Sequence, residues 1–221
     1  MAGTITDLKP QKRNKDRINV YLDGNYSFGL SRDLAVTLRR GMFLSDQEIT
    51  HLQKEDEFNK AYNRVAKFID YRPRSKEEVR RRMKRYDVEP DIIERVLEKL
   101  VAVDLIDDVE FAQFWVENRE TFRPRSRRML RHELGQKGLP DKIIAQALEQ
   151  VDEKEGARHL ALKHGRHLSL LDWPAFRQKL TGYLARRGYS YEITREAVKE
   201  AWQHLSESDD NCHESEDKEW I

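Results

Sequence analysis

Two identical tetrapeptides, Arg72-Pro73-Arg74-Ser75 and Arg123-Pro124-Arg125-Ser126, stand 51 residues apart. Their residue types suit anion recognition. A guanidinium is always charged, and its rigid fork matches a phosphate or carboxylate. Proline pushes the residue before it out of helical geometry, and serine is a favoured helix N-cap, so each copy predicts the end of one helix and the start of the next. A helix N-terminus presents free N–H groups and partial positive charge, so arginines flanking it would reinforce an anion site. The basic runs extend past the tetrapeptides. Residues 72–85 hold eight bases against two acids, and residues 123–131 hold five arginines and no acid. One arginine-rich helix face is ordinarily a solvated face with weak ion pairs. Repetition gives these runs weight: Arg72, Arg74, Lys76 and Arg80 correspond to Arg123, Arg125, Arg127 and Arg131. With Arg81 and Lys84 they are the candidate contact residues, expected to meet nucleic-acid phosphate with salt-sensitive, non-specific affinity. Arg81-Arg82 suits phosphate better than base edges. Tyr71 and Phe122, directly before the two copies, are expected in the core rather than as stacking platforms.

Other chemistry is not encoded. There is no glycine-rich phosphate loop and no pair of cysteines, and His132-Glu133 continues as Leu-Gly-Gln, not as a zinc-protease motif. His159, His164 and His167 cluster without a further acid or thiol at ligand spacing, so they are expected as solvated surface residues. Asp107-Asp108 fits a helix cap and Asp209-Asp210 a solvated tail. The expectation is a protein with no catalysis, no metal and no cofactor. The one cysteine, Cys212, excludes an internal disulfide and suits a reducing cytoplasm. No run of 18 apolar residues is present, and the first residues lack the pattern of a signal peptide, so no membrane partner is expected.

The elements that must position the arginines follow from the same spacing. Val79 answers to Leu130, Met83 to Leu134, Val88 to Leu139, Ile92-Ile93 to Ile143-Ile144, Leu97 to Leu148 and Leu100 to Val151. Such self-similarity marks a repeat architecture. Shifting by 50 gives a third, diverged copy: Pro174 on Pro124, Leu180 on Leu130, Leu184 on Leu134, Gly188 on Gly138, Ile193 on Ile143 and Val198 on Leu148. Asp172-Trp173-Pro174-Ala175 replaces the basic quartet there, which points to a capping repeat and places the contact surface on the first two. Pro174 is expected to keep the helix-ending role of Pro73 and Pro124.

Residues 3–30 read as strands, with Asp23-Gly24-Asn25 as a hairpin turn, followed by a short helix over 31–38 that Gly41 ends. Ser45 and Glu48, like Ser75 and Glu78, have capping-box spacing. The chain therefore divides into a β-rich unit at 1–44, three-helix repeats at 45–106, 107–152 and 153–205, and an acidic disordered tail at 206–221. The fold class is mainly α: tandem three-helix repeats in an elongated, curved array. The charged fraction of 37%, against roughly 25% for an average globule, suits so much surface. The tail holds seven acids and one base, a balance of −6; since the whole chain carries +1, residues 1–205 carry +7. A basic body of that kind favours a polyanionic partner.

These residues resemble the RecX family, regulators of the bacterial recombinase RecA. The likeness is carried by Arg-Pro-Arg-Ser followed by Glu77-Glu78-Val79-Arg80-Arg81-Arg82-Met83, by the run from Val96 through Leu105-Ile106-Asp107-Asp108 to Phe111-Ala112, and by Leu134-Gly135-Gln136-Lys137-Gly138-Leu139. It covers about 58–205, and the β-rich extension is similar to that of longer members. Asp104 stands where the family often has glycine; aspartate also tolerates left-handed geometry, so the helix end need not be lost. The acidic tail has no counterpart in the resemblance. The resemblance implies a monomeric, non-catalytic regulator of DNA repair, homologous recombination and the SOS response. Its partners would be RecA and the RecA–single-stranded-DNA filament, and it would block filament growth or promote disassembly, suppressing strand exchange and co-protease activity. Two other readings remain: a helix-turn-helix transcription factor, which would show sequence preference, and a structural helical adaptor, which would show no salt-dependent affinity for nucleic acid.

Overall fold

The computed structural model describes residues 1–216, with side chains described as far as Glu207. It divides into two compact units, Met1–Ile106 and Asp107–Ile221. The fold is mainly α, with three tandem three-helix repeats and a small antiparallel sheet at the N-terminus.

In the first unit, strands β1 (Gly3–Pro10), β2 (Arg17–Leu22), β3 (Asn25–Ser31) and β4 (Phe43–Leu44) form one sheet in the order β3-β2-β1-β4. Asp23 and Gly24 both take positive φ, 47° and 86°, so the β2–β3 hairpin turns on two residues with the twist such a turn favours. Helix α1 (Arg32–Ala35) is shorter than the span expected at 31–38. Ile5, Val20, Leu22, Phe28 and Leu30 line the buried face of the sheet.

Helix α2 (Asp46–Ile69) is one unbroken element, opened by the expected capping box between Ser45 and Glu48. Its first half packs Ile49 and Leu52 on the sheet core; its second half contributes Ala61 and Val65 to the core of the first repeat. The buried carboxylate of Asp56 lies between these halves. It accepts both Arg17 guanidinium nitrogens (3.2 and 2.9 Å) and the Ser31 N–H (2.7 Å), and it pairs with Lys60 at 2.7 Å. Burial pushes the Asp56 carboxyl up, but the hydrogen bonds from Arg17, Lys60 and Ser31 outweigh it and hold it below the usual carboxylate range.

The first repeat is completed by α3 (Lys76–Lys84) and α4 (Pro90–Ala102). The second is α5 (Asp108–Phe122), α6 (Arg127–Gln136) and α7 (Asp141–Leu148); the third is α8 (Glu153–Gly165), α9 (Trp173–Ala185) and α10 (Tyr191–Glu216). The expected apolar register holds. Val79, Leu130 and Leu180 are buried in equivalent places, as are Met83, Leu134 and Leu184. Truncating any of these to alanine would cost about 2–5 kcal/mol. Asp87 (φ 52°), Gly138 (79°) and Gly188 (90°) occupy one equivalent left-handed position after the middle helix of each repeat. Asp104 is also left-handed (φ 54°), so aspartate does serve as a helix terminator there.

Two expectations change. Pro174 does not repeat the job of Pro73 and Pro124. Those prolines precede their N-caps, Ser75 and Ser126, whereas Pro174 lies inside the first turn of α9 behind the N-cap Asp172, whose carboxylate accepts the Ala175 N–H at 3.1 Å. Helix α9 therefore begins one turn early, which brings Phe176 into the core where the other repeats have buried Ser75 and Ser126. The tail expected from residue 206 begins within α10, whose backbone continues to Glu216. No glycine or proline follows Leu205 to stop it, and the Ser206 hydroxyl donates back to the Trp202 carbonyl at 2.7 Å. Residues 217–221 of the expected tail lie outside the described residues.

Candidate nucleic-acid and partner interface

The repeated arginines fall into two groups, and the acids around them decide which is which. In the first repeat the Arg72 fork closes on Glu78 (2.9 and 3.2 Å) and Arg80 closes on Glu94 (3.0 and 3.0 Å) while also reaching Glu77 at 3.0 Å. Hydrogen bonding to Glu94, then to Glu77, raises the Arg80 pKa further above its already high value. Arg74 lies over the Phe68 ring, 3.9 Å from its centroid; burial there lowers its pKa, with Arg72 adding to the effect. Arg81 pairs with Glu77 at 2.9 Å, Lys76 is half-buried, and Lys84 is exposed at the end of α3.

The second repeat carries the same arginines without the same acids. Residues 77, 78 and 94 are glutamates; their equivalents are Arg128, Met129 and Ala145. Arg123 and Arg131 are exposed, and neither has an ion pair or side-chain hydrogen bond among the described residues. Arg128, three residues before Arg131 and so on the same helix face, is also exposed and unpaired. Arg128 is not among the arginines that repeat, because its equivalent in the first repeat is Glu77; that exchange of acid for base is the signal in the register.

Arg125 and Arg127 are occupied. Arg125 pairs at 3.3 Å with Glu133, which also accepts from Trp115 (2.9 Å) and Arg119 (2.7 Å). Arg127 donates to the carbonyls of Val151 (2.9 and 2.7 Å) and Glu149 (3.2 Å), satisfying groups left over at the end of α7. The amides expected to hold an anion at the start of α6 are taken too: the Arg127 N–H goes to Glu153 at 2.8 Å and the Met129 N–H to the Ser126 hydroxyl at 3.2 Å. The second Arg-Pro-Arg-Ser is also a joint between the second and third repeats. The Ser126 N–H donates to the Arg187 carbonyl at 3.2 Å, and a Cβ on Gly188 would stand 2.5 Å from the Ser126 hydroxyl.

Tyr71 and Phe122 are not in the core. They are 87% and 70% exposed, each directly before an arginine at the end of its repeat's first helix. Phe122 stands beside the free Arg123, the arrangement on which unpaired bases stack, whereas the arginine beside Tyr71, Arg72, is held by Glu78. Of the histidines, His159 and His167 are exposed as expected, but His164 is half-buried and stacks on Tyr183 with ring centroids 3.8 Å apart. Among the described residues no group of His, Cys, Asp and Glu could hold a metal ion, and no helix is long and apolar enough to cross a membrane.

Three helical repeats that share one apolar register, a small N-terminal sheet and a basic tetrapeptide present in the first two repeats define a repeat-built protein. Four family models then match in series: the regulatory protein RecX N-terminal domain at residues 3–42, and the first, second and third RecX three-helix domains at 61–100, 107–148 and 152–198. The chain belongs to the RecX family of regulatory proteins. It is 31% identical over 211 residues to Regulatory protein RecX of Listeria welshimeri, covering 93% of this chain and 78% of the relative. It is also 31% identical over 200 residues to that of Bacillus subtilis, covering 88% and 75%. A crystal structure of regulatory protein RecX superposes with a TM-score of 0.67 at 29% identity, covering 90% of this chain and 100% of that one. RecX from Lactobacillus salivarius gives 0.58 at 25% identity, covering 66% and 97%.

Proposed function

We propose that this protein binds RecA and the RecA–single-stranded-DNA filament and restrains it, by blocking filament growth or promoting disassembly, so that strand exchange and co-protease activity fall. In this reading it acts as a cytoplasmic monomer, without catalysis, and touches DNA through phosphate with no sequence preference. The observation that carries the proposal is the free surface of the second repeat, Phe122 and Arg123 with Arg128 and Arg131, on a chain that matches RecX through all four domains.

The physical case is one of available charge. Arginines without acids give up no internal ion pair when they meet phosphate, so their counterion release goes wholly into binding. The paired arginines of the first repeat would have to break bonds to Glu78, Glu77 and Glu94 first, and so contribute less. The test is the ATPase of a preformed RecA–single-stranded-DNA filament, which should fall as the purified protein is added. Unchanged ATPase over a wide concentration range would sink the proposal. Charge reversal at Arg123 and Arg131 should weaken the effect while the circular dichroism spectrum stays native.

A further inference from the structure

The third repeat lost the basic quartet, yet it has a basic groove of its own. Trp173, Arg177 and Thr181 recur at steps of four along α9, so they share one face; Tyr191, Arg195 and Lys199 do the same on α10. The two faces line one cleft of about 350 Å³, within the size range of ligand pockets. No carboxylate lines it. The acids of α10 are drawn to its other side: Glu196 pairs with Lys154 of α8 at 3.1 Å and Glu200 with Arg158 at 3.6 Å. Helix α10 is thus sorted by sign, acids toward α8 and bases toward α9. Arg177, Arg195 and Lys199 have no ion pair among the described residues.

In the other repeats arginine side chains at the corresponding places are engaged within the protein. Arg195 and Thr181 are equivalent to Glu94 and Arg80, which lock onto each other across the first repeat. In the second repeat Arg127, the equivalent of Arg177, spans to the carbonyls of Glu149 and Val151. In the third repeat no ion pair crosses between α9 and α10 among the described residues; what crosses is apolar, Trp173 and Phe176 of α9 packing on Trp202 of α10 with ring centroids 5.4 and 5.0 Å apart. A second, independent feature lies in the same cleft. Thr194 occupies the place of the buried core residues Ile93 and Ile144; it is 2% exposed, and its hydroxyl has no hydrogen-bond partner. Where the other two repeats place a methyl-rich side chain, the third sets a polar group without a partner against the wall of this cleft.

We propose that the α9–α10 groove binds a nucleoside phosphate. The three cations take the phosphate, and the 66%-exposed Tyr191 gives a flat apolar face to the base, with the half-buried Trp173, itself packed on Phe176 and Trp202, forming the wall beside it. An inorganic anion would leave that face unused, and an apolar ligand would leave the cations unused. The same chemistry is offered by a free nucleotide and by one residue of a single strand. This site is distinct from the Phe122–Arg131 surface and stands whether or not that surface meets the filament.

The experiment is a ¹H–¹⁵N NMR titration of the full-length chain with AMP, with inorganic phosphate and with oligodeoxyadenylate. AMP is expected to shift amides of α9 and the first turns of α10, and to bind more tightly than phosphate. Arg195→Ala with Lys199→Ala should weaken AMP by about tenfold or more through the lost charge-assisted bonds. Tyr191→Ala should bring AMP down to the affinity of phosphate through lost stacking. All three side chains are exposed, so these variants keep the fold, which circular dichroism checks. If the oligonucleotide is weakened by the same substitutions, the occupant is a strand; if only AMP is weakened, it is a free nucleotide. No shift with millimolar AMP, or equal binding by the double variant, overturns the proposal. Arg123→Glu with Arg131→Glu, titrated in parallel, should leave AMP binding intact, so failure of one site is not mistaken for failure of the other.

Discussion

Arg80 and Arg131 are the same residue of two successive repeats, and substituting each by alanine should have opposite consequences. Arg80→Ala removes a two-pronged contact to Glu94 and a third bond to Glu77. The Arg80 side chain is 30% exposed and Glu94 56%, so the abandoned acid regains water easily. Exposed ion pairs are worth about 0.2–1 kcal/mol, and a forked geometry puts this one at the upper end, about 1 kcal/mol. For a unit the size of residues 1–106 that lowers the melting temperature by roughly 4 °C. Arg131→Ala removes no internal contact, so stability should stay within about 0.5 kcal/mol. In DNA binding the order reverses. Losing Arg131 should flatten the plot of log affinity against log salt by about 0.7 for a single strand, one phosphate's share. Losing Arg80 should change the slope by much less. The assays are thermal melts by circular dichroism and fluorescence anisotropy of a labelled oligothymidylate over a potassium chloride series. An Arg131→Ala protein with unchanged slope, or an Arg80→Ala protein that melts normally but binds weakly, would refute the division into tied and free arginines.

Asp56→Ala should destabilise the first unit by about 3–5 kcal/mol, because Arg17 is left without its partner in a largely buried setting; urea unfolding measures it. Since the folded Asp56 pKa is lowered, its contribution is present above the usual carboxylate pKa and is lost as pH falls through the lower folded value. The gap in urea midpoint between wild type and Asp56→Asn should therefore be full at pH 7 and shrink only in strong acid. Tyr71→Ala and Phe122→Ala should leave the melting temperature unchanged while each weakens binding to a single strand by about 1–3 kcal/mol, read by anisotropy. Gly188→Ala should cost about 2 kcal/mol or more, since its φ of 90° is strained for alanine and the new methyl meets Ser126; a shift of the same size as for an exposed glycine in open space would contradict that contact.

The repeat was legible because core packing leaves its mark on residue type. Val79, Leu130 and Leu180 face the same hole in three bundles, and only apolar residues fill it. The left-handed joint was half legible: Gly138 and Gly188 announced it, while Asp87 concealed it behind an ordinary acid. The third repeat misled at Pro174, since a proline two residues before a cap and one just after a cap look alike at a similar spacing. Asp172 as the preceding cap was the available signal. At the candidate interface, residue type and register picked out the repeated arginines but not their state. Arg80 and Glu94 are 14 positions apart and meet only because α3 packs on α4, so their bond follows from tertiary structure. Tyr71 and Phe122 were misplaced for a related reason. A helix's last turn rotates past the core or stays on it depending on where the following proline sends the chain, and apolar character alone does not distinguish the two.

Helix α2 limits how this chain can be dissected. By composition the natural cut lies at residue 44, before the helices start. A cut there would strip Ile49 and Leu52 of the sheet they cover and would part Asp56 from both Arg17 and the Ser31 amide. The sheet and the first repeat share one helix as a common beam, so they are a single building block despite their two family signatures. Chimeras between relatives should exchange residues 1–106 whole, and a truncated protein beginning with α2 would test the loss of a buried ion pair rather than the function of the sheet.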